Sequence, residues 1–310
     1  MEGLVSVPPT AEQIEMAGQT LCNRGKALAV RYRALFLLRN VYTARSAELI
    51  TAALLDEHEH SALLKHDLAY CLGQMGIPEA IVTLEHVLGD ESEAVIVRHE
   101  AAEALGYLGE YGTIGSLSPY VNDVDHAIRD SARLAIELIR WKQTALLGGG
   151  DAGRDTPYKS IDPAPPNYVE DLSVLREILL NRHAEMWDRY GALFQLRNMN
   201  TDPSVLVLCD GLKSTDSALL RHEIAYVLGQ LQNPLSYPDL RERLLDTNEA
   251  DMVRHESAEA IGALCTPEGQ ALLEQLLTDP SEVVRESCEV ALDLAEFEAS
   301  DDFQYASASA

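Results

Sequence analysis

This sequence of 310 residues has little of what marks several large classes of protein. Aromatic residues make up only 6% of it, and its five cysteines are scattered, with none in a CxxC arrangement. The cysteine pattern argues against a disulfide framework and against a cysteine-rich zinc site. No apolar run approaches the roughly 18 residues that span a bilayer, and the N-terminal segment lacks the basic and apolar regions of a signal peptide. We therefore expect a cytoplasmic protein with reduced thiols.

Basic residues are also scarce. The chain has 24 Lys and Arg against 50 Asp and Glu, which gives a formal net charge of −26. Such a charge repels nucleic acid and anionic membranes and attracts cationic partners. Hydrophobic residues make up 46% of the sequence, enough to bury a substantial core. The composition therefore predicts a globular protein that binds neither nucleic acid nor membrane and suits a basic substrate.

A histidine directly followed by a carboxylate occurs four times in nearly the same helical phrase. The two pairs of each half are 33 residues apart, and matching pairs of the two halves are 156 residues apart. This registration is difficult to explain by chance. The pairs are His66-Asp67, His99-Glu100, His222-Glu223 and His255-Glu256.

The phrase that contains these pairs belongs to an eightfold repeat. Each copy has Arg or Lys in second place and is followed by apolar residues at spacings of three and four, which is helical periodicity. A turn-like stretch and another apolar helix precede most copies, so each unit is a helical hairpin. We predict an all-α protein, an α-α superhelix of eight helical hairpins in two groups of four. The copies are at 30–34, 64–68, 97–101, 128–132, 188–192, 220–224, 253–257 and 284–288.

The repetition stops in the middle of the chain, where three consecutive glycines are followed by a proline-rich run. This composition is typical of a linker. We predict an N-terminal half at 1–145, a linker at 146–168, a C-terminal half at 169–300 and a flexible tail at 301–310.

Four histidines and four carboxylates in register predict a metal site. Imidazole and carboxylate ligands suit iron, manganese or zinc, and the number of ligands indicates two ions. Residues four positions further on share the same helix face. They are Tyr70, Glu103, Tyr226 and Glu259. The two glutamates can orient metal ligands or bind a cationic substrate, or they can simply be solvated. Glycines seven positions after each histidine favour close helix packing.

The sequence resembles the deoxyhypusine hydroxylase family over nearly its whole length. The resemblance is carried by RYRALFLLRN and RYGALFQLRN, by HDLAYCLGQM, VRHEAAEALG, HEIAYVLGQLQ and VRHESAEAIGAL, and by SIDPAPP, VVRESCEVALD and FQYA. It implies a HEAT-repeat solenoid with a non-haem di-iron centre between its halves. It also implies an iron-dependent monooxygenase that uses dioxygen as co-substrate. The expected substrate is the deoxyhypusine side chain of translation initiation factor 5A, with the enzyme acting as a monomer.

The resemblance also implies roles for individual residues. The metal ligands are expected to be His66, His99 and Glu100 in the first half and His222, His255 and Glu256 in the second. Asp67 and Glu223 are expected to be catalytic and to bind substrate, and Glu103 and Glu259 to bind substrate. The first pair departs from the His-Glu motif of the family, because Asp67 is one methylene shorter than glutamate.

Two other functions fit parts of the pattern. A solenoid without catalytic activity could bind a basic protein partner, although such a scaffold has no need of four registered His-carboxylate pairs. A hydrolase could use zinc or manganese at the same residues. The identity of the metal separates the hydrolase from the oxygenase, since zinc has no redox chemistry.

Overall fold

The computed structural model describes residues 9–147, 156, 158–213 and 216–298, and these contain sixteen α-helices, four short 3₁₀ helices and no strand. The α-helices form eight hairpins in two groups of four, which confirms the predicted fold. In each hairpin an odd-numbered outer helix precedes an even-numbered inner helix. In chain order they are α1 Ala11–Leu21, α2 Leu28–Val41, α3 Ala44–Leu54, α4 Ala62–Met75, α5 Ile81–Gly89, α6 Val95–Leu108, α7 Ile114–Leu117, α8 His126–Leu147, α9 Leu172–Leu180, α10 Met186–Met199, α11 Asp202–Leu212, α12 Ala218–Leu231, α13 Tyr237–Leu245, α14 Asp251–Ala263, α15 Pro267–Leu276 and α16 Glu282–Glu298.

Equivalent capping residues start the helices in both halves. Ser61 accepts a hydrogen bond from the Leu64 amide at the start of α4, and Ser217 does the same for Leu220 at the start of α12. Thr43 and Thr201 open α3 and α11 with the same reciprocal capping box. A side-chain acceptor at this position satisfies an amide that the helix leaves unpaired.

The repeated arginine of the phrase joins each hairpin to itself and to the next one. The Nε of Arg254 donates to the carbonyl oxygen of Leu244 at 3.0 Å, and its guanidinium binds Asp279 at 2.6 Å. Arg189 makes the same kind of contacts with Leu179 and Asp216. These basic residues of the repeat therefore hold hairpins together.

Glycines bring successive inner helices into close contact. A Cβ on Gly73 of α4 would lie 2.7 Å from Cβ of Ala104 in α6, and one on Gly262 of α14 would lie 2.7 Å from Cβ of Ala291 in α16. Gly106 likewise faces Ala135 of α8. The packing explanation for these glycines is confirmed, and the result is that ligand-bearing helices lie close together.

The two groups of hairpins meet at both ends and close a ring. On one side α16 packs against α2 and α4, where Ser61 Oγ donates to Glu286 Oε2 at 2.8 Å and Arg33 Nε to Asp293 Oδ2 at 2.8 Å. On the other side α8 packs against α10 and α12. We call the first contact the α16 seam.

The predicted linker begins inside α8, which ends at Leu147, and its described residues beyond that helix, 156 and 158–168, have neither helix nor strand but are fastened to both halves. Gln74 donates to the Ile161 carbonyl at 3.0 Å and accepts from the Ile161 amide at 2.8 Å, while Gln230 donates to Ser160 at 3.1 Å. We call residues 158–163 the strap. The predicted tail, 301–310, lies outside the described residues.

Other expectations concern the surface and the thiols. The five histidines outside the registered pairs are all exposed, namely His58, His60, His86, His126 and His183. The five cysteines all lie among the described residues, and none of them forms a disulfide bond there. No helix in the described ranges is long and apolar enough to span a bilayer.

Candidate metal centre

Each of the four registered histidines is the fifth residue of an inner helix. His66 is in α4, His99 in α6, His222 in α12 and His255 in α14. The helices begin four residues earlier than each histidine, at Ala62, Val95, Ala218 and Asp251. The pairs therefore lie just after the first turn of their helices.

The ring brings the four imidazoles of both halves together. The ring centroids of His66 and His99 are 5.5 Å apart, and those of His222 and His255 are 5.2 Å apart. Contacts between the halves are as short, with 5.2 Å between His66 and His255 and 5.5 Å between His99 and His222. All four side chains are buried. Residues separated by more than 150 positions in the sequence thus form one cluster.

Two sets of potential ligand atoms within this cluster lie mutually within 4.8 Å. One set is His222, His255 and Glu256, which is the combination expected for the second half. The other is His66, His99 and His222. Glu100, expected in the first set, has its Oε2 3.5 Å from His66 Nε2, just as Glu256 Oε2 lies 3.4 Å from His222 Nε2. The two halves therefore contribute matching donors, with His222 close to both.

Unpaired buried atoms indicate that this cluster fits a metal. Both ring nitrogens of His99, His222 and His255 are buried without a hydrogen-bond partner, as are His66 Nε2 and Glu100 Oε1. Buried polar atoms in folded proteins are nearly always hydrogen-bonded. Convergent imidazole and carboxylate donors without protein partners are the ligands that iron, manganese and zinc use. The residues present therefore fit a site for metal ions.

The electrostatics of the cluster lead to the same conclusion. Burial, together with the charge of the neighbouring imidazoles, holds the pKa values of His222 and His255 well below the ordinary value, which keeps both rings in the neutral form that ligates. Burial raises the pKa of Glu256 to about 8, and burial with the charge of Glu103 raises that of Glu223. Buried carboxylates of this kind ionise readily only when a cation joins them.

Asp67 and Glu223 occupy matching positions but make different contacts. Asp67 Oδ1 lies 2.8 Å from Nδ1 of His66, the residue before it. The Nδ1 of His222 has no such partner, so Glu223 does not orient its neighbouring imidazole. Burial disfavours the charged form of His66, but the carboxylates of Asp67 and Glu100 outweigh this effect and raise its pKa. The shorter aspartate thus holds His66 in place, while Glu223 lines the adjoining cavity.

Glu103 and Glu259 also differ between the halves. Glu103 accepts hydrogen bonds from Tyr107 at 3.0 Å and Ser131 at 2.8 Å, and its Oε1 lies 3.8 Å from His99 Nδ1. Glu259 has a buried Oε1 without a hydrogen-bond partner, and 28% of its side chain is exposed. The residue that matches Tyr107 in the second half is Ala263, which has no hydroxyl. Glu103 is therefore fixed, and Glu259 is available to another molecule.

A cavity of about 330 Å³ adjoins the cluster. The hydroxyl groups of Tyr70 and Tyr226 meet in it at 2.8 Å, one from each half. The cavity is also lined by residues outside the repeated His-carboxylate phrase, namely Arg39 and strap residues Ser160–Pro163. The sequence of the strap has no helical periodicity that would identify it. The two glutamines that bind the strap do occupy equivalent positions in the repeat, since Gln74 and Gln230 each lie eight residues after a paired histidine.

Comparisons with known proteins agree with this geometry. A family model for HEAT repeats matches residues 205–293. The chain is 45% identical to the deoxyhypusine hydroxylase of Danio rerio over 95% of both sequences, and 43% identical to that of Homo sapiens over 96% of both. The solved structure of human deoxyhypusine hydroxylase in complex with glycerol superposes with a TM-score of 0.87 at 43% identity, covering 92% of this chain and 96% of that one.

Proposed function

Because this chain belongs to the deoxyhypusine hydroxylase family, we propose that it hydroxylates the deoxyhypusine side chain of translation initiation factor 5A and so completes hypusine. The observation that carries this proposal is the cluster of four buried imidazoles from both halves. Inserting oxygen into an unactivated C–H bond requires a redox metal, because side chains alone cannot reduce dioxygen. We expect the protein to act as a monomer in the cytoplasm.

Iron is the metal that we assign to the cluster, two ions for each chain. His66, His99 and Glu100 would hold one and His222, His255 and Glu256 the other, with His222 near both sets. Bound iron supplies the electrons that dioxygen activation requires, and zinc cannot. Imidazoles together with the carboxylates of Glu100 and Glu256 are ligands that suit divalent iron.

The cavity beside the cluster suits the substrate side chain, which is a long secondary amine that ends in a primary amine. Both nitrogens are cationic at neutral pH. Glu223 and Glu259 line the cavity, and the Oε1 of Glu259, which lies 3.6 Å from His255 Nδ1, has no hydrogen-bond partner among the described residues. We assign both carboxylates to the substrate nitrogens through charge-assisted hydrogen bonds. Asp67, expected to bind substrate too, is assigned to orienting His66, while Glu103, also expected to bind substrate, is already held by hydrogen bonds from Tyr107 and Ser131.

The tyrosine pair and the buried walls also have a role in this reaction. Tyr70 and Tyr226 close the cavity between the halves, and their rings offer an apolar surface to the methylene groups of the side chain. Excluding water from this space strengthens the contacts of the amine with Glu223 and Glu259. The residues therefore position the carbon chain and leave the cationic nitrogens to the carboxylates.

Hydroxylation of the factor by the iron-loaded chain tests this proposal. Mass spectrometry of deoxyhypusine-bearing factor 5A should show a gain of one oxygen atom in the presence of dioxygen and a reductant. The zinc-loaded chain and the His255→Ala variant are the controls, and both should be inactive. Gain of oxygen with the zinc form would contradict the need for a redox metal, and cleavage of the factor by the zinc form would favour a hydrolase. Absence of any turnover with iron fully bound would favour a scaffold.

A further inference from the structure

Arg39 is a cation in a cavity otherwise lined mainly by acidic and neutral groups. It lies near the end of α2, and its guanidinium carbon is 5.4 Å from the centre of the Tyr70 ring. Its Nε is buried and has no hydrogen-bond partner within the described part of the chain. A buried donor without a partner costs free energy, so its position calls for an acceptor in the cavity.

The equivalent residue of the second half shows what this position can bind. Arg197 lies in the matching segment of α10 and is fully buried. Its Nη1 donates to Asp162 of the strap at 2.8 Å and to Gln230 at 3.1 Å, and its guanidinium lies 4.4 Å from the centre of the Tyr158 ring. Strap side chains, those of Asp162 and Tyr158, therefore occupy the Arg197 position, and no segment of the described chain occupies the Arg39 position.

We infer that Arg39 binds the main chain of the protein substrate beside the modified residue. This inference rests on the proposed function. Arg197 binds the chain's own Asp162, but the acceptor at Arg39 is a carbonyl oxygen of the substrate, because Asp67, Glu223 and Glu259 of the same cavity repel a further carboxylate from outside. In this arrangement Arg39 holds the peptide, and Glu223 and Glu259 hold the amines of its side chain.

Binding of deoxyhypusine-bearing factor 5A to the iron-loaded chain without dioxygen tests the inference. Fluorescence anisotropy should give a dissociation constant about tenfold higher for Arg39→Gln, as expected when one hydrogen bond from a charged group is lost. Arg39→Lys keeps the charge and one donor, so its loss should be smaller. Arg140→Gln is the matched control, because Arg140 is exposed on α8 and its substitution removes the same charge. It should bind like the unsubstituted chain.

Steady-state kinetics separate this role from a structural one. Arg39→Gln should raise KM for the factor with a much smaller effect on kcat, and its iron content and melting temperature should match those of Arg140→Gln. An unchanged dissociation constant for Arg39→Gln, or an equal loss in Arg140→Gln, would overturn the inference. A failure of the proposed function itself is distinguishable, since the unsubstituted chain would then neither bind nor modify the factor.

Discussion

At the scale of single residues, Asp67 and Glu223 make different contacts although their positions in the repeat match. Asp67 is hydrogen-bonded to the imidazole of His66, and Glu223 leaves His222 without such a partner. An Nδ1–H that donates to Asp67 leaves the Nε2 lone pair of His66 directed at the cluster. The departure from the family motif therefore has a physical consequence, which is an oriented ligand in the first half only.

Removing the carboxylate of Asp67 should weaken metal binding. We expect Asp67→Ala to lower iron affinity about tenfold to a hundredfold, the usual cost of losing a hydrogen bond that orients a metal-bound histidine. Asp67→Asn is the matched control, because its amide oxygen still accepts from Nδ1 and should preserve most of the affinity. Competition with an iron chelator measures both variants, and equal affinities for Asp67→Ala and the unsubstituted chain would contradict the orienting role.

Neutralising Glu259 and Glu103 should have different effects. Glu259→Gln should raise KM for the protein substrate about tenfold while iron content stays unchanged, because Glu259 makes no hydrogen bond in the described chain. Glu103→Gln should lower iron content, because the carboxylate beside His99 loses its charge. Iron analysis and kinetics on the same preparations distinguish the two. Loss of iron to the same extent in both variants would contradict these separate roles of Glu103 and Glu259.

At the scale of helices, close packing determines how near the ligands approach each other. Inner helices are stacked through a glycine of one and an alanine of the next, as with Gly73 and Ala104 or Gly229 and Ala260. The fit is tighter in the first half, where a Cβ on Gly73 would be 2.8 Å from the Cα of Ala104. The corresponding distance for Gly229 and Ala260 is 3.1 Å. The two otherwise similar contacts therefore form a matched pair for experiment.

Adding a methyl group should destabilise the tighter contact more. We expect Gly73→Ala to lower the free energy of unfolding by about 1–2 kcal/mol, since backbone must move to accommodate the methyl group. Gly229→Ala should change it by less than about 1 kcal/mol, because the gain in helix propensity nearly offsets the crowding. Chemical denaturation measures both, and a larger loss for Gly229→Ala would contradict this order.

Local patterns in the sequence predict the helices and the cluster, but not the strap or the differences between halves. The spacing of the repeats predicts inner helices and places His66 and His222 at equivalent positions, because helical periodicity is a local property. The contacts of Gln74 with Ile161 depend on how an irregular segment folds back, for which composition gives no distance. Likewise, the hydrogen bonds of Glu103 depend on Tyr107 and Ser131, which lie on two different helices.

At the scale of the whole molecule, the ring is closed by side chains at the α16 seam. There Glu286 accepts a hydrogen bond from Ser61 and lies near Glu59, Glu282 and Glu289. Burial, together with these charges, raises the pKa of Glu286 to about 7, and the hydrogen bond from Ser61 opposes the rise. The seam therefore contains an acid that is more easily ionised in the unfolded chain than in the folded one.

Stability should depend on pH through this residue. The pKa of Glu286 is near 4.5 in the unfolded chain and about 7 in the folded one. Its contribution to stability is therefore fully present below pH 4.5 and is lost as the pH rises through about 7, because ionisation then favours the unfolded chain. Glu286→Gln should therefore raise the melting temperature at pH 8 and have a smaller effect at pH 5, as thermal denaturation at both pH values would show. Glu289→Gln on the same helix is the control, and equal gains in both variants at both pH values would exclude this contribution.

The central claim is that residues of both halves form one di-iron centre. Metal analysis and visible absorption of the chain purified in air, beside a His99→Ala variant, test it most directly. The account predicts about two iron ions per chain and an iron-dependent absorption band that the variant loses. Zinc alone, or no metal in either protein, would contradict it.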